Sequence, residues 1–224
     1  MNIKSSDEII NNIKFQNKCC NIHTISVENL PEREQNYFTR FMPSAKTAIV
    51  LGHHITKKDE WVWYAGSNQE YCISDNHSLL ICHQIVAELA QIGFQSKIIP
   101  YPGESGLQFR FVAQAAGMGK IGINAFLLHP EWGPWIHLRV IATESTIDIE
   151  TNRADEICNH CGACISACPA NAIEENNFNG LKCRAFRKEK GEYIPIGEER
   201  RLDYCEVCAD VCPFGNKPEK RPML

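Results

Sequence analysis

Eight of the twelve cysteines fall into two runs near the C-terminus. The first is Cys158-Asn-His-Cys161-Gly-Ala-Cys164-Ile-Ser-Ala-Cys168-Pro169. The second is Cys183, then Cys205-Glu-Val-Cys208-Ala-Asp-Val-Cys212-Pro213. Three thiolates two residues apart can wrap three corners of one iron–sulfur cubane. The three-residue step then starts a helix and aims the fourth thiolate elsewhere, with proline helping to set the turn. The assignment is therefore reciprocal. Cys158, Cys161, Cys164 and Cys212 hold one [4Fe-4S] cluster, and Cys168, Cys183, Cys205 and Cys208 hold the second. Two zinc sites would also use eight thiolates, but usually as separated C-x2-C pairs. A disulfide framework suits small secreted chains, and no secretory signal is present.

This spacing is that of bacterial ferredoxins. It divides the chain into an α/β domain over 1–150 and a ferredoxin-like double-cluster domain over 151–224. Apolar content of 44% and charged content of 22% fit a soluble globular protein. No apolar run reaches membrane-spanning length. The start, MNIKSSDEII, has neither an apolar signal core nor a twin arginine, so the expected location is cytoplasmic, with no membrane contact. Formal net charge is −4 without a concentrated basic footprint, so nucleic acid is not an expected partner. The charge run 184–192 reads as exposed loop.

Hydrophobic patterning predicts helices over 7–15, 76–92 and 109–116, the second capped by Gly93. It predicts strands over 21–27, 46–55, 96–100 and 136–143, with a βαβ-like order around the 76–92 helix. Gly117-Met-Gly119-Lys-Ile-Gly122 matches G-x-G-x-x-G. A helix precedes it, however, and a proline-bearing stretch follows, so it fails as a dinucleotide fingerprint. Three glycines in six residues still imply a sharp turn or a close approach.

That glycine stretch, continuing through Asn124-Ala-Phe-Leu-Leu128 and Glu131-Trp-Gly-Pro134 to a strand and the cysteine runs, resembles the epoxyqueuosine reductase and reductive dehalogenase superfamily. The resemblance covers about 41–213. It implies a nitroreductase-like N-terminal α/β domain that binds a corrinoid (cobalamin) close to one cluster. The implied cofactor-binding residues are Gly117, Gly119, Gly122 and Asn124. The implied chemistry is reductive, with electrons from a ferredoxin or flavodoxin passing through both clusters. Ile123 stands where the family has a basic residue. Tyr101 and Glu104, which follow a predicted strand, are the candidate catalytic proton donors, and Glu104 is the only acid in 101–108. The chain ends 12 residues after Cys212, without the helical repeats that the family uses on tRNA. The leading expectation is thus an oxidoreductase acting on a small organic molecule. The alternatives are an electron carrier without corrinoid and a truncated epoxyqueuosine reductase acting on tRNA.

Other residues have blander readings. His53 and His54 end a buried strand, where neighbours point to opposite faces, so hydrogen-bonded structural roles are expected. Trp61, Trp63 and Tyr64 either cover a macrocycle or pack in a core. Cys19, Cys20, Cys72 and Cys82 show no metal spacing, and Cys82 fits an apolar helix face.

Overall fold

The computed structural model describes residues 5–65, 70–102, 106–148, 154, 157–196 and 199–220. The chain forms two compact units. The first comprises Met1–His54, His77–Gly119 and His137–Ala154; the second comprises Ile55–Asn76, Lys120–Ile136 and Asp155–Leu224. The secondary structure is mixed α/β.

In the first unit a four-stranded sheet runs in the order Cys20–Ser26, Thr47–His54, Ile136–Thr143, Ser96–Ile98. The first two strands pair antiparallel, from Cys20↔His53 to Ser26↔Thr47. Ser96–Ile98 pairs antiparallel with the far edge of Ile136–Thr143. The expected βαβ neighbours are therefore not adjacent. Ile136–Thr143 is eight residues long and almost wholly apolar on one flank, and it takes the central place beside Thr47–His54.

The helix Ser6–Gln16 starts from a capping box. Ser5 Oγ accepts from Glu8 N at 3.2 Å and the Ser5 amide donates to Glu8 Oε2 at 2.9 Å, which satisfies two otherwise orphaned donors. Its Ile9, Ile10 and Ile13 join Ile22, Ile49, Leu51, Ile85, Leu89 and Ile141 in one core. Each such side chain contributes roughly 1.5–3 kcal/mol by leaving water. The helix Ile73–Gln91 supplies Ile81, Cys82, Ile85 and Leu89 to that core. It is closed at Gly93, whose φ of +90° lets the Phe94 amide reach back to Leu89 O at 3.0 Å.

In the second unit, antiparallel strands run in the order Glu192–Ile196, Glu199–Asp203, Trp63–Ala65, Glu70–Cys72. Beside them Ile55, Trp135 and Ala209 form a small core with Trp61 and Phe126. Trp61 meets Trp135 edge-on at 4.9 Å and Phe126 at 5.6 Å, and Tyr64 stacks on Tyr71 at 5.2 Å. These contacts are the packing alternative for Trp61 and Tyr64. The run 184–192, expected as loop, lies largely in the helix Gly180–Lys190. Asn179 caps it, with Oδ1 accepting from Leu181 N and Lys182 N at 3.1 and 3.0 Å.

The glycine segment is also not a helix opening. The helix Phe109–Ala115 leads into it, and a hairpin of Lys120–Ile121 with Leu127–Leu128 follows.

Candidate metal centre

The first cysteine run bends because two residues adopt left-handed backbone, His160 at φ +53° and Gly162 at φ +75°. Cys158 and Cys161, ahead of the short helix Ala163–Ala167, and Cys164, within its first turn, line one cavity. Cys212 arrives from the end of the helix Val207–Asp210 and lines the same cavity, opposite Ile123, Asn124 and Leu128. Burial pushes the Cys164 thiol above its ordinary value, and Cys158, Cys161 and Cys212 add to this. Cys212 is likewise raised by burial, against a Phe214 backbone hydrogen bond, with Cys158 and Cys161 adding.

The other four cysteines form a second group. Burial pushes the Cys208 thiol up to about 12, with Cys205, Cys183 and Cys168 raising it further. Cys183 is raised by burial, opposed by Arg187, with Cys168 and Cys205 adding. The two groups adjoin where the helix Ala163–Ala167, which bears Cys164, packs against Val207–Asp210, which bears Cys208.

Four thiolates side by side repel one another, and a cation among them would favour their ionised form, so the donor set can hold metal. The order of the cysteines along the chain favours two cubanes over single zinc ions, which usually take separated C-x2-C pairs.

Two supports hold this geometry. Lys58 Nζ, over the Trp135 ring at 5.5 Å, pairs with Glu206 Oε1 at 3.0 Å and with Asp210, and so anchors the helix that bears Cys208. Gly133 and Gly215, at φ +58° and +76°, bring two turns into backbone contact. A Cβ on Gly133 would meet the carbonyl of Phe214, with the carbon at 2.7 Å, and one on Gly215 would meet Trp132. The Ala172 amide donates to Cys168 Sγ at 3.3 Å, the kind of bond that tunes a cluster.

The sequence signature of the 4Fe-4S double cluster binding domain matches residues 157–215. This chain carries two [4Fe-4S] clusters. The double-cluster domain sits in a chain that resembles epoxyqueuosine reductases in sequence and fold, and reductive dehalogenases in fold. The epoxyqueuosine reductase of Synechococcus sp. (strain CC9605) is 32% identical over 112 residues, 47% of this chain and 35% of that reductase. The match thus spans about a third of such relatives. An epoxyqueuosine reductase solved with a tRNA-Tyr epoxyqueuosine-modified stem loop superposes with a TM-score of 0.67 at 17% identity, over 93% of this chain and 66% of that one. A catabolic reductive dehalogenase with 3-bromo-4-hydroxybenzoic acid gives 0.60 at 16% identity, over 89% and 30%. The expectation against nucleic acid stands in conflict with one fold neighbour, which was solved with a tRNA stem loop. Net charge averages the surface and hides local basic patches.

The remaining site candidates fall as follows. Gly117 takes φ +80° just past the Ala115 helix end. A Cβ on Gly122 would meet Leu128 Cδ1 at 2.8 Å and Asn124 Oδ1 at 3.0 Å. Gly119 lies between them and ends the His77–Gly119 segment of the first unit. Asn124, 5% exposed, donates to the Cys208 carbonyl at 3.3 Å and accepts from Phe126 N at 3.2 Å. Tyr101 stacks on His137 at 5.8 Å, with the Arg139 guanidinium 5.2 Å from its ring centre. Glu104 lies outside the described residues. Sequence reasoning missed the cluster of Cys19, Cys20 and His53, whose donor atoms all fall within 4.8 Å. Its signal was cross-strand register, which spacing along the chain does not carry. No described helix is long and apolar enough to cross a membrane.

Proposed function

We propose that the chain is an iron–sulfur reductase of the epoxyqueuosine-reductase kind, taking the oxygen from an epoxide carried on tRNA. The observation that carries this is the pair of adjoining thiol groups, brought together where the helices bearing Cys164 and Cys208 pack. Two clusters held there form a relay in which an electron entering at one has the other as its neighbour. The sequence likeness to epoxyqueuosine reductases selects the substrate. An exposed basic helix supports the tRNA: Lys182, Arg184, Arg187, Lys188 and Lys190 on Gly180–Lys190 face solvent, against one acid, Glu189. Such a concentration of cations suits backbone phosphates.

A corrinoid, when bound, supplies the metal-centred reduction. The residues proposed to hold it are Gly117, Gly119, Gly122 and Asn124. Asn124 would act by fixing the loop, since its amide is committed to Cys208 and Phe126. Tyr101 and Glu104 are the proposed proton donors, and a ferredoxin or flavodoxin the proposed electron source.

The test is anaerobic protein with both clusters, supplied with cobalamin and a strong reductant, incubated with epoxyqueuosine-bearing tRNA. Nuclease digestion and mass spectrometry should show queuosine. No product from protein that retains its iron and binds cobalamin would favour the electron-carrier reading.

A further inference from the structure

We propose that Cys19, Cys20 and His53 form a binding site for one thiophilic metal ion of the zinc type in the first unit. Neighbouring residues in a strand point to opposite faces, so a Cys-Cys pair in regular strand cannot share an ion. Here the pair straddles a boundary. Cys19 lies in the turn after the Ser6–Gln16 helix, closed by the Cys20 amide donating to Asn17 O at 2.9 Å, and Cys20 is the first strand residue. The turn frees Cys19 from alternation, and the two sulfurs stand 3.8 Å apart on one side.

The third donor comes across the ladder. His53 is the register partner of Cys20, and its Nδ1 lies 3.3 Å from Cys20 Sγ. Directly opposed residues of an antiparallel pair are the ones whose side chains meet. The His54 amide donates to Cys19 O at 2.9 Å and extends that ladder to the turn.

The spacing matches one small ion. Zinc bonds of about 2.3 Å to sulfur and 2.0–2.1 Å to nitrogen, at tetrahedral angles, require S···S of about 3.8 Å and S···N of about 3.6 Å. Two of the three edges thus fit to within tenths of an ångström, and the third, from Cys19 to His53, lies within 4.8 Å. A disulfide would need the sulfurs at about 2.05 Å, a far larger movement. Two thiolates and an imidazole are soft ligands that select zinc-like ions over magnesium or calcium. Two thiolate charges also cancel a divalent ion, which suits a place where Cys20 and His53 are 6% and 4% exposed. Cys19 is exposed and gives the ion its route in, with the fourth coordination place toward solvent. On binding, the ion takes two sulfur lone pairs and one from nitrogen, and two thiol protons leave to water.

The test uses anaerobic protein with both clusters in place. It is titrated with zinc sulfate and desalted, and metals are counted. The expected result is about one zinc per chain with iron unchanged at about eight, as one three-donor site beside two four-iron clusters requires. Two protons should be released per zinc, and zinc should shield Cys19 from iodoacetamide. Cys19→Ser, at an exposed turn, should keep its iron and bind zinc at least about tenfold more weakly. Zinc uptake with matching iron loss, undiminished zinc binding by Cys19→Ser, or a Cys19–Cys20 disulfide in protein never exposed to oxygen would each overturn the proposal.

Discussion

The side-chain amide of Asn124 donates to the backbone carbonyl of Cys208 at 3.3 Å. One residue of the glycine segment thus holds the peptide that presents a proposed cluster thiolate. Asn124→Ala removes the bond and leaves the Cys208 carbonyl unpartnered by it, at a cost of about 1 kcal/mol or somewhat more. The expected outcome is faster loss of iron to a chelator than in the parent protein, with chain fold retained by circular dichroism. An unchanged release rate would assign Asn124 no part in holding the cluster loop.

The ligand partition predicts which iron goes with which cysteine. Cys164→Ser and Cys183→Ser should each lower iron from about eight to about four per chain. Electron paramagnetic resonance of the reduced proteins should show a different surviving cluster in each. If Cys183→Ser keeps all its iron, Cys183 is not a ligand.

Gly133 and Gly215 predict a steric failure. Gly133→Ala places a methyl against the Phe214 carbonyl and forces alanine into left-handed backbone, which alone costs roughly 1–2 kcal/mol. Limited proteolysis of the cluster-loaded protein should find new cuts near 213–216, and Gly93→Ala, with nothing within 4 Å of its Cβ, should leave that region protected.

His23 predicts a pH dependence in the first unit. Burial pushes its pKa below the ordinary value, and the bond from Nδ1–H to Ala116 O at 3.0 Å opposes this only in part. The folded form therefore binds the proton less readily than the unfolded form. Stability is full above the unfolded value of about 6.5 and falls as pH drops from there toward the lower folded value, below which no more is lost. Amide protection factors in the strand Cys20–Ser26, corrected for intrinsic exchange at each pH, should fall between pH 7 and 5, and His23→Gln should flatten that slope. An equal slope in the variant would place the titrating group elsewhere.

Lys58→Met keeps the stem over Trp135 but removes the charge between Glu206 and Asp210. Two carboxylates then lose their shared cation. Iron retention during urea titration should fall at lower denaturant than in the parent protein, most at low salt, because salt screens the part-exposed pair with Asp210.

Local signals in the sequence reached far. The strand over 136–143 and the capped helix ending at Gly93 stand where periodicity puts them, since each buries one continuous apolar face. The cysteine runs declare their metal through spacing alone, because ligand geometry is local. What the sequence hid was made by partners far apart in the chain. The Cys20↔His53 pair exists only through register. The helix Gly180–Lys190 was masked by its charge, although Asn179 ahead of it and Arg187, Lys188 and Lys190 in its last turn are N-cap and dipole signals. The pairing of Trp63–Ala65 with Glu199–Asp203 left no periodic trace, because three-residue strands are too short to show one.

That last pairing sets a timetable for synthesis. Ala65 and Arg200 face each other across 135 positions of chain. At roughly 5–20 residues per second, the earlier strand leaves the ribosome about 7–27 seconds before its partner exists. Throughout that interval its outer edge is open to any other chain with an unpaired strand. The nascent protein is thus most exposed to faulty association before its last cysteines have been made, and the supply of iron can rescue only the chains that waited.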